Sequence, residues 1–133
     1  MRHALTLIRC QMGEREFPLL WNVRAMADWY SSGLSFEAVD AMEPHAVGYI
    51  LHIMSREAVA AMTAYGYQVP EGELPTLEEL EDFVSSPTTL PWELTGVLES
   101  ISEALRCGNH QDYKASPDGP GTVDISDQEL KKN

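Results

Sequence analysis

Residues 13–33, GEREFPLLWNVRAMADWYSSG, set the architecture, because an extended run passes there directly into a capped helix. Phe17, Leu19 and Trp21 alternate as the buried side of a strand does, whereas Val23, Met26, Ala27 and Tyr30 share one side of a helix with 3.6 residues per turn. The period changes near Asn22. Its side-chain oxygen can accept from a free amide of the first helical turn, and Gly33 can take the left-handed conformation that ends a helix. Leu34 is then placed to fold back on Trp29, the contact that accompanies such an ending.

Toward the N-terminus, residues 4–9 alternate as a strand, residues 11–15 around Gly13 make a turn, and residues 16–20 return as the second strand. Pro18 has no amide hydrogen to donate, which places the returning strand at an edge. A lone hairpin is marginal in water, so its apolar face is expected to lie on helices.

Toward the C-terminus, Ser35 is an N-cap for a short helix over residues 36–42, with Leu34 and Val39 as a hydrophobic staple. Pro44 suits the first position of a third helix. There Val47, Ile50, Leu51, Met54, Ala58, Ala61, Met62 and Tyr65 keep the helical period down to Gly66, as one helix or as two joined near Ser55. Burying each large side chain of this stripe is worth roughly 1.5–3 kcal/mol, which predicts a central core helix. Residues 67–75, with Gly72 and two prolines, read as a loop. Thr76 and Glu79 form a capping box for the next helix, which Pro87 stops. The last helix starts near Pro91, carries Leu94, Val97, Leu98, Ile101 and Leu105 on one stripe, and is expected to end at Gly108. The fold class is therefore mainly α: an N-terminal β-hairpin packed on a bundle of about five helices. Residues 1–108 form the single domain, and residues 109–133, polar and carrying PDGPG, a flexible, disordered tail.

The 133 residues suffice for a buried core without disulfides or metal. Cys10 and Cys107 form no CxxC pair and read as reduced thiols of a cytoplasmic protein. Met1 to Cys10 lacks a signal-peptide pattern, and no apolar run is long enough to span a bilayer. Nine basic residues against 21 acidic ones give a net charge of -12, which repels nucleic acid and anionic membranes. Between Glu71 and Leu105 there are nine carboxylates and no Lys or Arg. A run of this kind is most simply a solvated helix face.

Catalytic patterns do not emerge. His45 and His52 are two turns apart rather than at the spacing of a helical metal pair, and no cysteines or histidines stand at ligand spacing. Ser55 lies near His52, but no orienting carboxylate follows from the spacing, and there is no phosphate loop or nucleophile motif. The expectation is a non-enzyme without cofactor or metal. What can bind is apolar. Tyr49 and Ile53 lie off the main stripe of the central helix and Trp92 sits at a helix start, so these three are the candidate lining of an exposed groove. Ringed by carboxylates, such a groove favours an amphipathic helix carrying Lys and Arg on its rim.

Taken together, REFPLLWNVRAMADWYSSG at 15–33 and PTLEELEDFVSS at 75–86 resemble the small tail assembly chaperones of long-tailed bacteriophages and prophages. Glu16, Phe17, Leu19 and Trp21 fill that family's extended lead, Arg24, Ala25 and Met26 follow in its helix, and Gly33 closes it. Thr76, Glu78, Glu79, Leu80 and Val84 meet a later pattern. The resemblance spans residues 4 to about 107 and rests on apolar spacing and caps; the loop at 67–75 and the tail after Gly108 depart from it. It implies a protein of the host cytoplasm that coats the helical tape measure protein during assembly of the virion tail. Tail-tube protein then displaces it. It is expected to act in several copies, a homo-oligomer being one such arrangement. A different class is also open: a small acidic phage inhibitor that mimics DNA and occupies a host DNA-binding protein. A mimic needs carboxylates in a rigid double row, roughly 7 Å apart, to match alternate phosphates.

Overall fold

The computed structural model describes residues 6–67, 74–109 and 122–124. Two strands, β1 (Thr6–Met12) and β2 (Arg15–Leu19), are followed by α1 (Val23–Ser32), α2 (Phe36–Asp40), α3 (Pro44–Ala64), α4 (Leu77–Ser85), α5 (Pro91–Asn109) and β3 (Thr122–Asp124). The expected mainly helical fold with an N-terminal hairpin is the observed one.

The hairpin is tighter than its sequence suggested. Met12 pairs with Arg15, leaving only Gly13 and Glu14 in the loop, and Gly13 has φ 62°. A positive φ at the first central position alone is the pattern of a II′ turn, whose twist matches that of the strands. Ile8 faces Leu19 and Cys10 faces Phe17 across the ladder, and these buried side chains form one apolar face of the sheet. Strand order is β2-β1-β3, so Pro18 does lie on an edge strand. Most of the stretch read as a tail lies outside the described residues, as do residues 68–73 of the loop. Thr122–Asp124, however, pairs antiparallel with Thr6–Ile8, a strand that nothing in the tail's polar composition announced.

Helix α3 is the core. Over its first four turns it is buried on more than one stripe: Val47, Ile50, Leu51, Ile53, Met54 and Ala58 are at most 1 % exposed, and only the side carrying His45, Tyr49, His52 and Arg56 stays exposed or half-buried. One side is covered by α4, which approaches α3 at Gly48, where a Cβ would lie 2.8 Å from Glu81 Cγ and 3.3 Å from its backbone nitrogen. On the other side the Leu20 amide donates to the Met54 carbonyl at 3.1 Å, tying the end of β2 to α3. Leu7, on the opposite sheet face from Ile8, joins Ala58, Leu20, Met62 and Tyr65 in a smaller cluster.

The caps fall where the sequence placed them. Asn22 accepts from the Ala25 amide at 2.9 Å and Gly33 closes α1 with φ 80°. Ser35 caps α2, Pro44 opens α3, and Thr76 and Glu79 complete their reciprocal box. Gly108 behaves differently from the expectation. It stays inside α5, and its missing Cβ lets Trp21 approach: an added Cβ would stand 2.2 Å from the Trp21 carbonyl oxygen.

Helix α1 is turned the other way from its sequence reading. Ala25 and Trp29 are buried, while Val23 and Tyr30 are 74 % and 65 % exposed. The helix carries two apolar stripes, and the indole decides between them. Trp29 is almost wholly buried between Phe36, at a ring separation of 5.4 Å, and Tyr49, at 6.3 Å. No other side chain of α1 has as much apolar surface to remove from water.

Candidate functional site

The three residues proposed to line one groove stand in three different settings. Ile53 is fully buried, which corrects its expected place on the surface: Tyr49 and Glu57, one turn on either side of it, meet Trp29, Asn22 and Arg24, so α1 lies over this side of α3. Tyr49 is half-buried, stacked on Trp29 and 6.2 Å from the His45 ring. Trp92 is 70 % exposed beside Leu90, itself 49 % exposed, at the start of α5. The structure does not bring them together.

An apolar cleft opens elsewhere, at the far end of α5. It has a volume of about 500 Å3 and lies between the first turn of α1 and the last turns of α3 and α5, with the ends of β1 and β2 as its floor. Leu20, Val23, Met26, Ala61, Tyr65 and Cys107 are among its lining residues. At 1.5 Å per residue, Trp92 is about 24 Å along α5 from Gly108 on the cleft's edge. One wall is set by Trp21, whose ring nitrogen donates to Asn109 Oδ1 at 3.2 Å and whose backbone rests on Gly108. A signal for this site was present in the sequence: Gly108 follows a helical pattern at a place where alanine would serve better unless another backbone approaches, and Trp21 does approach it.

Next to the cleft, a polar network joins α1 to α3. Glu57 is 2 % exposed, with Asn22 Nδ2 3.2 Å and Arg24 Nε 3.6 Å from Oε1 and Arg56 Nε 3.3 Å from Oε2. Arg56 also meets Asp28 of α1, and that hydrogen bond, more than the neighbouring charges, raises its pKa above the ordinary arginine value. A buried carboxylate without partners would be strongly destabilising, so this network fixes α1 against α3.

The residues with chemical potential are engaged structurally. Ser55 is buried, and its Oγ donates to the His52 carbonyl rather than to the imidazole. The His52 pKa is lowered, chiefly by burial and then by Arg56. His45 Nδ1 lies 2.7 Å from Glu81 Oε1, a contact between α3 and α4. Among the described residues no group of three or more His, Cys, Asp and Glu is arranged to hold a metal ion. Several carboxylates of the acidic stretch serve the chain itself. Glu79 completes a cap and pairs with Arg15 at 2.8 Å, Glu93 accepts from the Leu90 amide at 2.7 Å, and Glu103 pairs with Arg106.

Among the described residues no helix is long and apolar enough to cross a membrane. No family model, no curated protein and no solved structure matches this chain, so the reading of its function rests on its own residues and geometry.

Proposed function

We propose that this protein is a tail assembly chaperone of the long-tailed phage type, which binds helical segments of the tape measure protein reversibly and keeps them in solution until tail-tube subunits replace it. The observation that carries this reading is the open apolar cleft of about 500 Å3 with exposed Val23 on its lip, in a chain of net charge -12. An apolar cleft accepts the side chains of an amphipathic helix, and the charged exterior keeps the complex dispersed. No reaction belongs to this role; Ser55 and His52 act in packing and helix geometry. The DNA-mimic reading draws less support, because Glu79, Glu81, Glu93 and Glu103 are occupied by caps and ion pairs within the chain.

The test is co-expression with the long helical protein encoded downstream. The expected result is that the partner stays in the soluble fraction and co-elutes with this chain. A partner that precipitates equally with and without it would refute the proposal.

A further inference from the structure

The outward stripe of α1 is an apolar feature that the fold leaves uncovered among the described residues. Val23 and Tyr30 are two turns apart on one side of the helix, with exposed Ala27 between them. Val23 and Met26 form the lip of the cleft. At the other end Tyr30 meets the edge of Phe36, with ring centroids 6.4 Å apart and Phe36 itself 36 % exposed. Cleft, stripe and Phe36 form one apolar track, and its α1 portion alone is about 10 Å long. Single exposed apolar residues are ordinary; a continuous track at helical spacing marks a docking surface.

Charge decides what docks there. At the Phe36 end Glu37, Asp40 and Glu43 are exposed, and among the described residues none of them pairs with a cation. Asp40 shares a face of α2 with Phe36, four residues before it. Along α1 the charges are already matched, Arg24 with Glu57 and Asp28 with Arg56. The unmatched charge beside the track is therefore negative and gathered at α2. A second copy of the chain would bring a further -12 against it.

We propose that this track docks an amphipathic helix of a partner protein, its apolar side laid along Val23, Ala27 and Tyr30 and its Lys or Arg residues over Glu37, Asp40 and Glu43. This narrows the chaperone reading, on which it rests, to one surface of the molecule, and it places Trp92 outside that surface.

The test uses the full-length protein and two labelled synthetic helices about 18 residues long, sufficient for helicity in isolation. Both carry the same leucine stripe; one has Lys on its polar side and the other Glu. Binding is read by fluorescence anisotropy. The Lys helix is expected to bind about tenfold or more tightly than the Glu helix. Val23→Asp and Tyr30→Asp should each weaken the Lys helix about tenfold, although each adds a negative charge that would strengthen attraction by net charge alone. Trp92→Asp should leave it unchanged, and Glu37→Gln with Asp40→Asn and Glu43→Gln should weaken it and flatten its salt dependence.

Unchanged or tighter binding by the Val23 and Tyr30 variants, with circular dichroism showing them folded, would overturn the proposal. So would a wild-type dimer that Val23→Asp splits, or a site that only Trp92→Asp destroys. The same variants separate this proposal from the function it rests on. If wild type and Tyr30→Asp both hold the tape measure protein in solution, the track fails and the chaperone stands. If the Lys helix binds at the track while the tape measure protein still precipitates, the chaperone reading fails and the track stands.

Discussion

Asn22 holds two structures at once: its Oδ1 caps α1 at the Ala25 amide, 2.9 Å away, while its Nδ2 donates to the buried Glu57 carboxylate at 3.2 Å. Asn22→Ala removes both bonds. Losing the cap costs about 1 kcal/mol and weakening the satisfaction of a buried carboxylate adds about 1 kcal/mol or more. Asn22→Asp keeps an acceptor for the cap but sets a second carboxylate against Glu57, so it should be destabilised despite its good capping chemistry. Glu57→Ala leaves Asn22 Nδ2 without its acceptor and a gap where a buried side chain stood, while the exposed Arg24 returns to solvent and Arg56 keeps Asp28, so it should cost about 1–3 kcal/mol. Urea unfolding midpoints of the three variants check the order.

Two glycines of α5 should respond oppositely to alanine. A Cβ added at Gly96 would have nothing within 4 Å, so Gly96→Ala gains helix propensity and should stabilise by about 0.5–1 kcal/mol. Gly108→Ala places its methyl 2.2 Å from the Trp21 carbonyl oxygen, and both groups are backbone-anchored. It should destabilise by about 1–3 kcal/mol, with a change in Trp21 fluorescence as the end of α5 shifts. Thermal melts of both variants decide this.

Acid should weaken the fold through two groups of the same sign. Burial, assisted by Arg56, lowers the His52 pKa below its ordinary 6.5, so just below that pH the unfolded chain binds a proton that the folded chain does not. Stability is then full above 6.5 and falls as pH drops toward the lowered folded value. Glu79 is lowered from 4.5, first by the Thr76 amide and then by Arg15; its contribution is present above 4.5 and is lost as pH falls through its folded pKa. Unfolding midpoints measured from about pH 7 to about pH 3 should decline in two steps. His52→Gln should flatten only the upper step, and Glu79→Gln only the lower.

The two thiols should react in a fixed order. Burial pushes Cys10 up to about 12, whereas Cys107 is half-buried on the wall of the cleft. A thiol reagent at neutral pH should label Cys107 first, and Cys10 only as fast as the protein unfolds. Cys107→Ser should abolish the fast phase, and a partner seated in the cleft should slow it.

Trp92 and Ile53 should differ as surface from core. Trp92→Asp is expected within about 0.5 kcal/mol of wild type. Ile53→Asp buries an unpaired charge and should leave no cooperative unfolding transition. Acrylamide should quench Trp92 readily and Trp21 and Trp29 poorly, and Trp92→Phe should remove the accessible fraction.

Features whose hydrogen bonds close within a few residues were readable from the order of the amino acids. The Asn22, Ser35 and Thr76–Glu79 caps and the end of α1 at Gly33 stand as read, and the hairpin turns at Gly13 though more tightly than read, because a cap is a bond between residues three apart and neighbouring elements hardly alter it. The long stripe of α3 was equally legible, since one face of a long helix sums many small preferences. Choices between equals were left to packing. Helix α1 offered two apolar stripes, and Trp29 won its place only because Phe36 and Tyr49 enclose it. Ile53 went inside because α1 lies over its side of α3, Gly108 marks an approach by Trp21 rather than a helix end, and β3 pairs with the edge of β1 that the hairpin left open. Asn22 and Glu57 are 35 residues apart in the chain and Trp21 and Asn109 are 88 apart. Contacts over such separations depend on how whole elements pack, and helical periodicity contains no term for that; the track proposed on α1 is the stripe which that packing left outside.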